Sequence, residues 1–168
     1  MTDRSSISTE LLDSAVGQAL AHVFRILVNQ PIRLVESAQA LDPALPGPGI
    51  QIMGCVGFLG DIDGVIHLRF TEAFAEIASG HILGMTPEEV KAEGFDQLKD
   101  SIGELCNMSV GTFKNRLCDL GLSCKLTLPT VVRGENLHVP SVKGTTRRIY
   151  HFETLGRPLL ADLQIKTE

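Results

Sequence analysis

Glu104 and Asn107 stand three residues apart in the run Asp100-Ser101-Ile102-Gly103-Glu104-Leu105-Cys106-Asn107-Met108-Ser109-Val110-Gly111. On a helix that spacing makes their side chains neighbours. A carboxylate can engage a cation or an amine, and a carboxamide offers both donor and acceptor, so it can orient a water. At about 100° per residue, Leu98, Ile102, Leu105, Cys106, Ser109, Phe113, Leu117 and Leu120 fall on one side, a core face. Asp100, Glu104, Asn107, Gly111 and Cys118 fall on the opposite, outward side. Gly103 and Gly111 flank the pair. Each glycine costs a helix about 1 kcal/mol relative to alanine, and offers in exchange a low surface that another backbone can approach. Glu-x-x-Asn is short and common by chance, so these residues taken alone read first as a solvated helix face.

Other chemistry is less well supplied. Gly54, Gly57 and Gly60 recur every three residues, but no helix follows directly, which fits hairpin and bulge positions better than a phosphate cradle. His22, His67, His81, His138 and His151 have no ligand-like spacing, so no metal site is expected. Asp61-x-Asp63-Gly64 lacks the rest of a calcium loop and reads as a polar turn. Cys55, Cys106, Cys118 and Cys124 form no CxxC pair and read as reduced thiols, Cys106 inert in the core and Cys118 more exposed. Lys143 with Arg147 and Arg148 is a small basic cluster, either a solvated loop or an aid to an acidic partner.

The elements that must hold the pair follow from periodicity. The Glu-x-x-Asn run lies in a long helix expected from Phe95 to Leu120 and stopped by Gly121. Thr86-Pro87-Glu88-Glu89 starts a helix before it: a threonine cap, proline at the first position and glutamate three residues past the cap. Leu12, Val16, Leu20, Val23 and Leu27 mark another helix from Thr9 to Asn29, ended by Pro31. The run from Leu41 to Gly49, with three prolines and two glycines, is a loop. Ile50–Met53 and Gly64–Phe70 flank Gly60–Gly64 as a hairpin, and helical texture resumes from Glu72 to Leu83. After the long helix, 124–132, 148–152 and 158–165 read as extended. Runs of strands with short connections favour an α+β fold over a βαβ repeat.

The chain has 168 residues, a prior for a single domain over 1–168, with 1–6 a flexible N-terminus. Apolar residues are 43%, and 15 Lys+Arg against 20 Asp+Glu give a charge of −5. That balance counts against a nucleic-acid binder, as do one tyrosine and no tryptophan for base stacking. The polar start has no secretory h-region, and no apolar run approaches the roughly 18 residues of a membrane helix, so a cytoplasmic protein is expected.

Residues 100–111 closely resemble the E-x-x-N signature helix of the CheC/CheX/FliY phosphatase family. Gly57–Ile66 is similar to the family's first hairpin, Lys114 follows in the helix, and Leu128-Pro129-Thr130-Val131-Val132-Arg133-Gly134 resembles its Pro-Thr strand. The likeness spans residues 7 to 165 and is nearest to CheX, because the chain has a single E-x-x-N motif where CheC-type members usually carry two. The corresponding first helix reads Asp13-Ser14-Ala15-Val16-Gly17-Gln18, without the Glu and Asn, and Ser109 replaces a bulkier apolar residue. The resemblance implies long antiparallel helices on a mostly antiparallel sheet, and a homodimer joined through that sheet.

It also implies a substrate, the aspartyl phosphate of a phosphorylated response-regulator receiver domain of the CheY type. Such a receiver brings its own Mg²⁺ and lysine, so this chain would bind no cofactor. Hydrolysis then needs an in-line water and charge neutralisation, with little covalent chemistry. By that analogy Asn107 orients the water and Glu104 pairs with the receiver's lysine, while Gly103, Gly111 and Asp100 meet the partner. The roles do not reverse, because a carboxylate beside a phosphate is repelled by like charge. Two alternatives stand beside it: a non-catalytic receiver-binding adaptor or scaffold, and a sensor of an unspecified small ligand.

Overall fold

The computed structural model describes residues 7–38 and 49–166. The expected flexible stretch 1–6 and positions 41–48 of the Pro/Gly-rich loop lie outside the described residues. In chain order the elements are α1 (Thr9–Val23), β1 (Arg33–Ala38), β2 (Gln51–Gly60), β3 (Gly64–Thr71), α2 (Glu72–Leu83), α3 (Pro87–Glu93), α4 (Phe95–Asp119), β4 (Cys124–Leu126), β5 (Thr130–Gly134), β6 (Thr145–Thr154) and β7 (Arg157–Lys166). Among the described residues the strands form one seven-stranded sheet in the order β1-β6-β7-β3-β2-β4, with β5 also on β2. Every pairing is antiparallel, which makes the fold α+β as expected.

One face of the sheet carries the helices. Ile52, Val56 and Phe58 of β2 alternate inward, as do Ile66, Leu68 and Phe70 of β3. They join Leu12, Val16 and Leu20 of α1 and Ile102, Leu105, Phe113 and Leu117 of α4 in one core. Gly54 is needed in that alternation, because a Cβ there would come 2.1 Å from Cys106 Sγ. The Thr86 cap forms as read, its Oγ1 accepting from Glu89 N–H at 3.2 Å. α4 ends in a Schellman turn, with Leu122 N–H on Leu117 O at 3.0 Å, Gly121 N–H on Cys118 O at 2.9 Å, and Gly121 at φ +86°.

Three expectations are corrected, and one strand is new. The first helix gives way after Val23 to one turn of π-helix over Phe24–Val28, closed by Asn29 in the left-handed region, before Pro31 acts. Leu120 lies past the last buried turn and is 47% exposed rather than in the core. Strand β1 gave no sequence signal, since Arg33-Leu34-Val35-Glu36 lacks clean alternation and its pairing with β6 shifts register between Leu34 and Glu36. By length and composition Thr9–Val28 is also long and apolar enough to cross a membrane, and its most apolar 18-residue window is 44% buried inside the fold.

The basic cluster is corrected as well. Arg147 is buried on the other face of the sheet, paired with Asp162 at 2.5 Å and donating to Ser141 Oγ at 3.0 Å. The stretch from 135 to 144 crosses that face and is tied down there: Leu137 O accepts from Arg69, and Val142 N–H and Pro140 O engage Gln164. Arg148 turns to the helix side and pairs with Asp13 at 2.8 Å. Only Lys143 of the three is exposed.

Candidate functional site: a groove beside α4

α4 lies against β2, β4 and β5, and the connection between β4 and β5 rises alongside its outward stripe. The result is an open groove of about 360 Å³ lined by Lys99, Asp100, Gly103, Glu104 and Asn107 from the helix, by Leu128 and Pro129 from the connection and by Val131 from β5. Glu104 and Asp100 are exposed, and Asn107 is half-buried on the same wall. Among the described residues, the side chains of Glu104 and Asn107 make no hydrogen bond or ion pair within the chain, so both are available to another molecule.

The far wall is held rigidly. Thr127 N–H donates to Gly57 O at 2.8 Å, and Thr127 Oγ1 accepts from Gly57 N–H at 2.9 Å. Pro129 fixes φ one residue after Leu128. Gly103 is buried as the floor: a Cβ there would sit 3.9 Å from both Pro129 and Val131. Gly111 lies two turns further along, against Leu126, and does not line the groove. Gly103 therefore faces this chain's own β4–β5 connection and β5, and Gly111 faces β4, which the sequence alone did not place there.

Beneath the site, Cys106 is buried under Gly54, and burial pushes its thiol up to about 12, which keeps it unreactive near neutral pH. Ser109 is buried too, its hydroxyl satisfied by Leu105 O at 2.7 Å. Asp61 and Asp63 accept from Ser123 and Gly60 N–H, as a polar turn should. Near the start of α4 a smaller groove of about 130 Å³ holds Glu72, Glu76, Phe95 and Arg133. Arg133 is ion-paired with Glu72, and burial followed by the Glu72 charge pushes the Glu76 carboxyl up. Among the described residues no group of three or more His, Cys, Asp or Glu could hold a metal ion.

Sequence reasoning missed Lys99, Leu128, Pro129 and Val131 as groove residues. The Leu-Pro-Thr run was visible, but nothing local says that it faces the helix. Asp13, in the helix position where a second motif would sit, is taken up by Arg148 and Ser37.

An antiparallel sheet covered on one face by helices, with one helix presenting a carboxylate and a carboxamide three residues apart to a groove, is the architecture of a CheC/CheX-type module. The model for the chemotaxis phosphatase CheX matches residues 52–153, more than half of the chain, and the chain belongs to that family. Solved structures agree on the fold. A CheX from Desulfovibrio desulfuricans superposes with TM-score 0.77 at 17% identity, covering 92% of this chain and 99% of that one. A CheX from Vibrio vulnificus gives 0.78 at 20%, covering 92% and 99%. A CheX–CheY–BeF3–Mg²⁺ complex from Borrelia burgdorferi contains a chain that gives 0.69 at 20%, covering 92% and 97%. No curated protein sequence matches the chain significantly.

Proposed function

We propose that this chain is a phosphatase that hydrolyses the aspartyl phosphate of a CheY-like response-regulator receiver domain. The observation that carries the reading is the placement of Glu104 and Asn107 on one wall of an accessible groove, with neither engaged inside the chain among the described residues. Family membership supports the phosphatase activity, and the CheX from Borrelia burgdorferi solved with CheY, BeF3 and Mg²⁺ supports the partner class.

In this mechanism α4 is laid against the receiver's phosphorylation site. The half-buried Asn107 amide donates and accepts at once, holding a water in line with the phosphorus. Glu104, more exposed, meets the receiver's lysine and sets the register of the helix. Mg²⁺ comes with the receiver and neutralises charge on the phosphoryl oxygens. Asp100 and Gly103 shape the contact. Gly111, outside the groove, touches the partner only if the partner extends along α4. The reading also carries a cytoplasmic setting and a homodimer joined through the sheet, for which the exposed Leu34 and Val35 on edge strand β1 offer apolar surface.

The test is loss of labelled phosphate from the host's own receiver domains. Wild-type chain should accelerate it, and Asn107→Ala should abolish most of the acceleration while still binding. Binding without acceleration by the wild type would point to the adaptor reading instead.

A further inference from the structure

Leu128 is 89% exposed, more than any other large apolar side chain among the described residues. Single exposed leucines are ordinary on protein surfaces, so exposure alone carries little. The loop that presents this one is what distinguishes it. On one side Thr127 is anchored to Gly57 through both its N–H and its hydroxyl. On the other, Pro129 lies against α4 at Gly103 and leads directly into β5. Backbone held at both neighbours fixes the point from which the side chain leaves the loop. A loop whose backbone is already fixed loses little further backbone freedom when a partner covers it, so more of the leucine's burial appears as affinity.

Its position names the occupant. Leu128 forms one wall of the same groove whose other wall holds Glu104 and Asn107. A macromolecule seated in this groove against Asn107 also meets Leu128 on the facing wall.

We propose, resting on the phosphatase reading above, that Leu128 is the apolar anchor with which this chain docks on its receiver substrate. It seats in an apolar recess beside the receiver's phosphorylation site and sets affinity and partner choice. Asn107 and Glu104 act at the phosphoryl group, and Leu128 positions them without touching the reacting atoms.

Covering one leucine side chain is worth roughly 10- to 100-fold in affinity. The test separates KM from kcat on a phosphorylated receiver that the wild-type chain dephosphorylates. Leu128→Ser should raise KM at least tenfold and leave kcat at saturation unchanged. Leu128→Met, which keeps the apolar volume, should stay within about threefold of wild type. Because the side chain is already in water, thermal melting of both variants should match wild type, which excludes misfolding as the cause. Titration with the beryllofluoride–Mg²⁺ form of the receiver should show the same loss of affinity. An unchanged KM and an unchanged titration for Leu128→Ser overturn the proposal and leave the phosphatase reading standing. A wild-type chain that binds receivers without hydrolysis overturns the phosphatase reading, and the titration then decides the anchor by itself. A wild-type chain that binds no receiver overturns both.

Discussion

α1 and α4 pack against each other on the same face of the sheet and each turns polar side chains outward, but the two helices use those side chains in opposite ways. On α1, Asp13 is gripped by Arg148 through contacts of 2.8, 3.0 and 3.2 Å and also accepts from Ser37. Gln18 donates to Ser14 on its own helix. On α4, Glu104 and Asn107 have no partner within the described chain and face a groove walled by the β4–β5 connection. A polar group satisfied inside the fold contributes to stability. One left unsatisfied at an accessible groove contributes little to stability and is free for chemistry. The face of the sheet away from the helices extends the α1 side of the comparison, since Arg147 and Asp162 are both buried there as a pair.

The contrast can be broken by experiment, and the largest effect should come from the most deeply engaged group. Asp162→Ala removes the buried carboxylate that faces the Arg147 guanidinium, and should destabilise the fold by about 3–5 kcal/mol in urea denaturation. Asn107→Ala should do the reverse. Its stability should stay within about 0.5 kcal/mol of wild type, while receiver dephosphorylation falls by roughly 10²–10³. Asp13→Ala should cost about 1–3 kcal/mol of stability with the hydrolysis rate per folded molecule unchanged. If Asp13→Ala instead lowered the rate as much as Asn107→Ala, the two helices would not differ in use.

The smallest effect tests the groove floor. A Cβ at Gly103 meets only ordinary contacts at 3.9 Å, so Gly103→Ala should raise stability by up to about 1 kcal/mol through helix propensity. A severalfold rise in KM alongside that gain would show that the partner uses the depth of the groove. An unchanged KM would leave Gly103 as packing beneath Pro129 alone.

Much of the scaffold was legible because it rests on local rules. α2 spans Glu72–Leu83 as its texture indicated, α3 begins at the Thr86 cap, and α4 stops where Gly121 enters the left-handed region. What escaped was set at long range. Edge strand β1 is defined by pairing with β6 rather than by its own pattern, and a single exposed edge puts little constraint on side-chain alternation. Arg147 and Arg148 are adjacent in sequence and looked like one basic cluster. Strand alternation sends them to opposite faces of the sheet, each to its own carboxylate.

The candidate site divides the same way. By itself the sequence determined that Glu104 and Asn107 share the face of α4 opposite Ile102, Leu105 and Phe113, since helical periodicity is a property of neighbouring residues. The likeness of that helix and its flanking segments to one family was also legible in the order of residues. Only the tertiary structure decided that this face is the wall of a groove, that Gly103 is its floor, and that Leu128 stands at its rim. It also decided that Asp13 is engaged. Those facts depend on Thr127 reaching Gly57 across 70 residues and on Arg148 reaching Asp13 across 135. Contacts between residues so far apart exist only once the sheet has brought their strands together, and no local pattern along the chain encodes them.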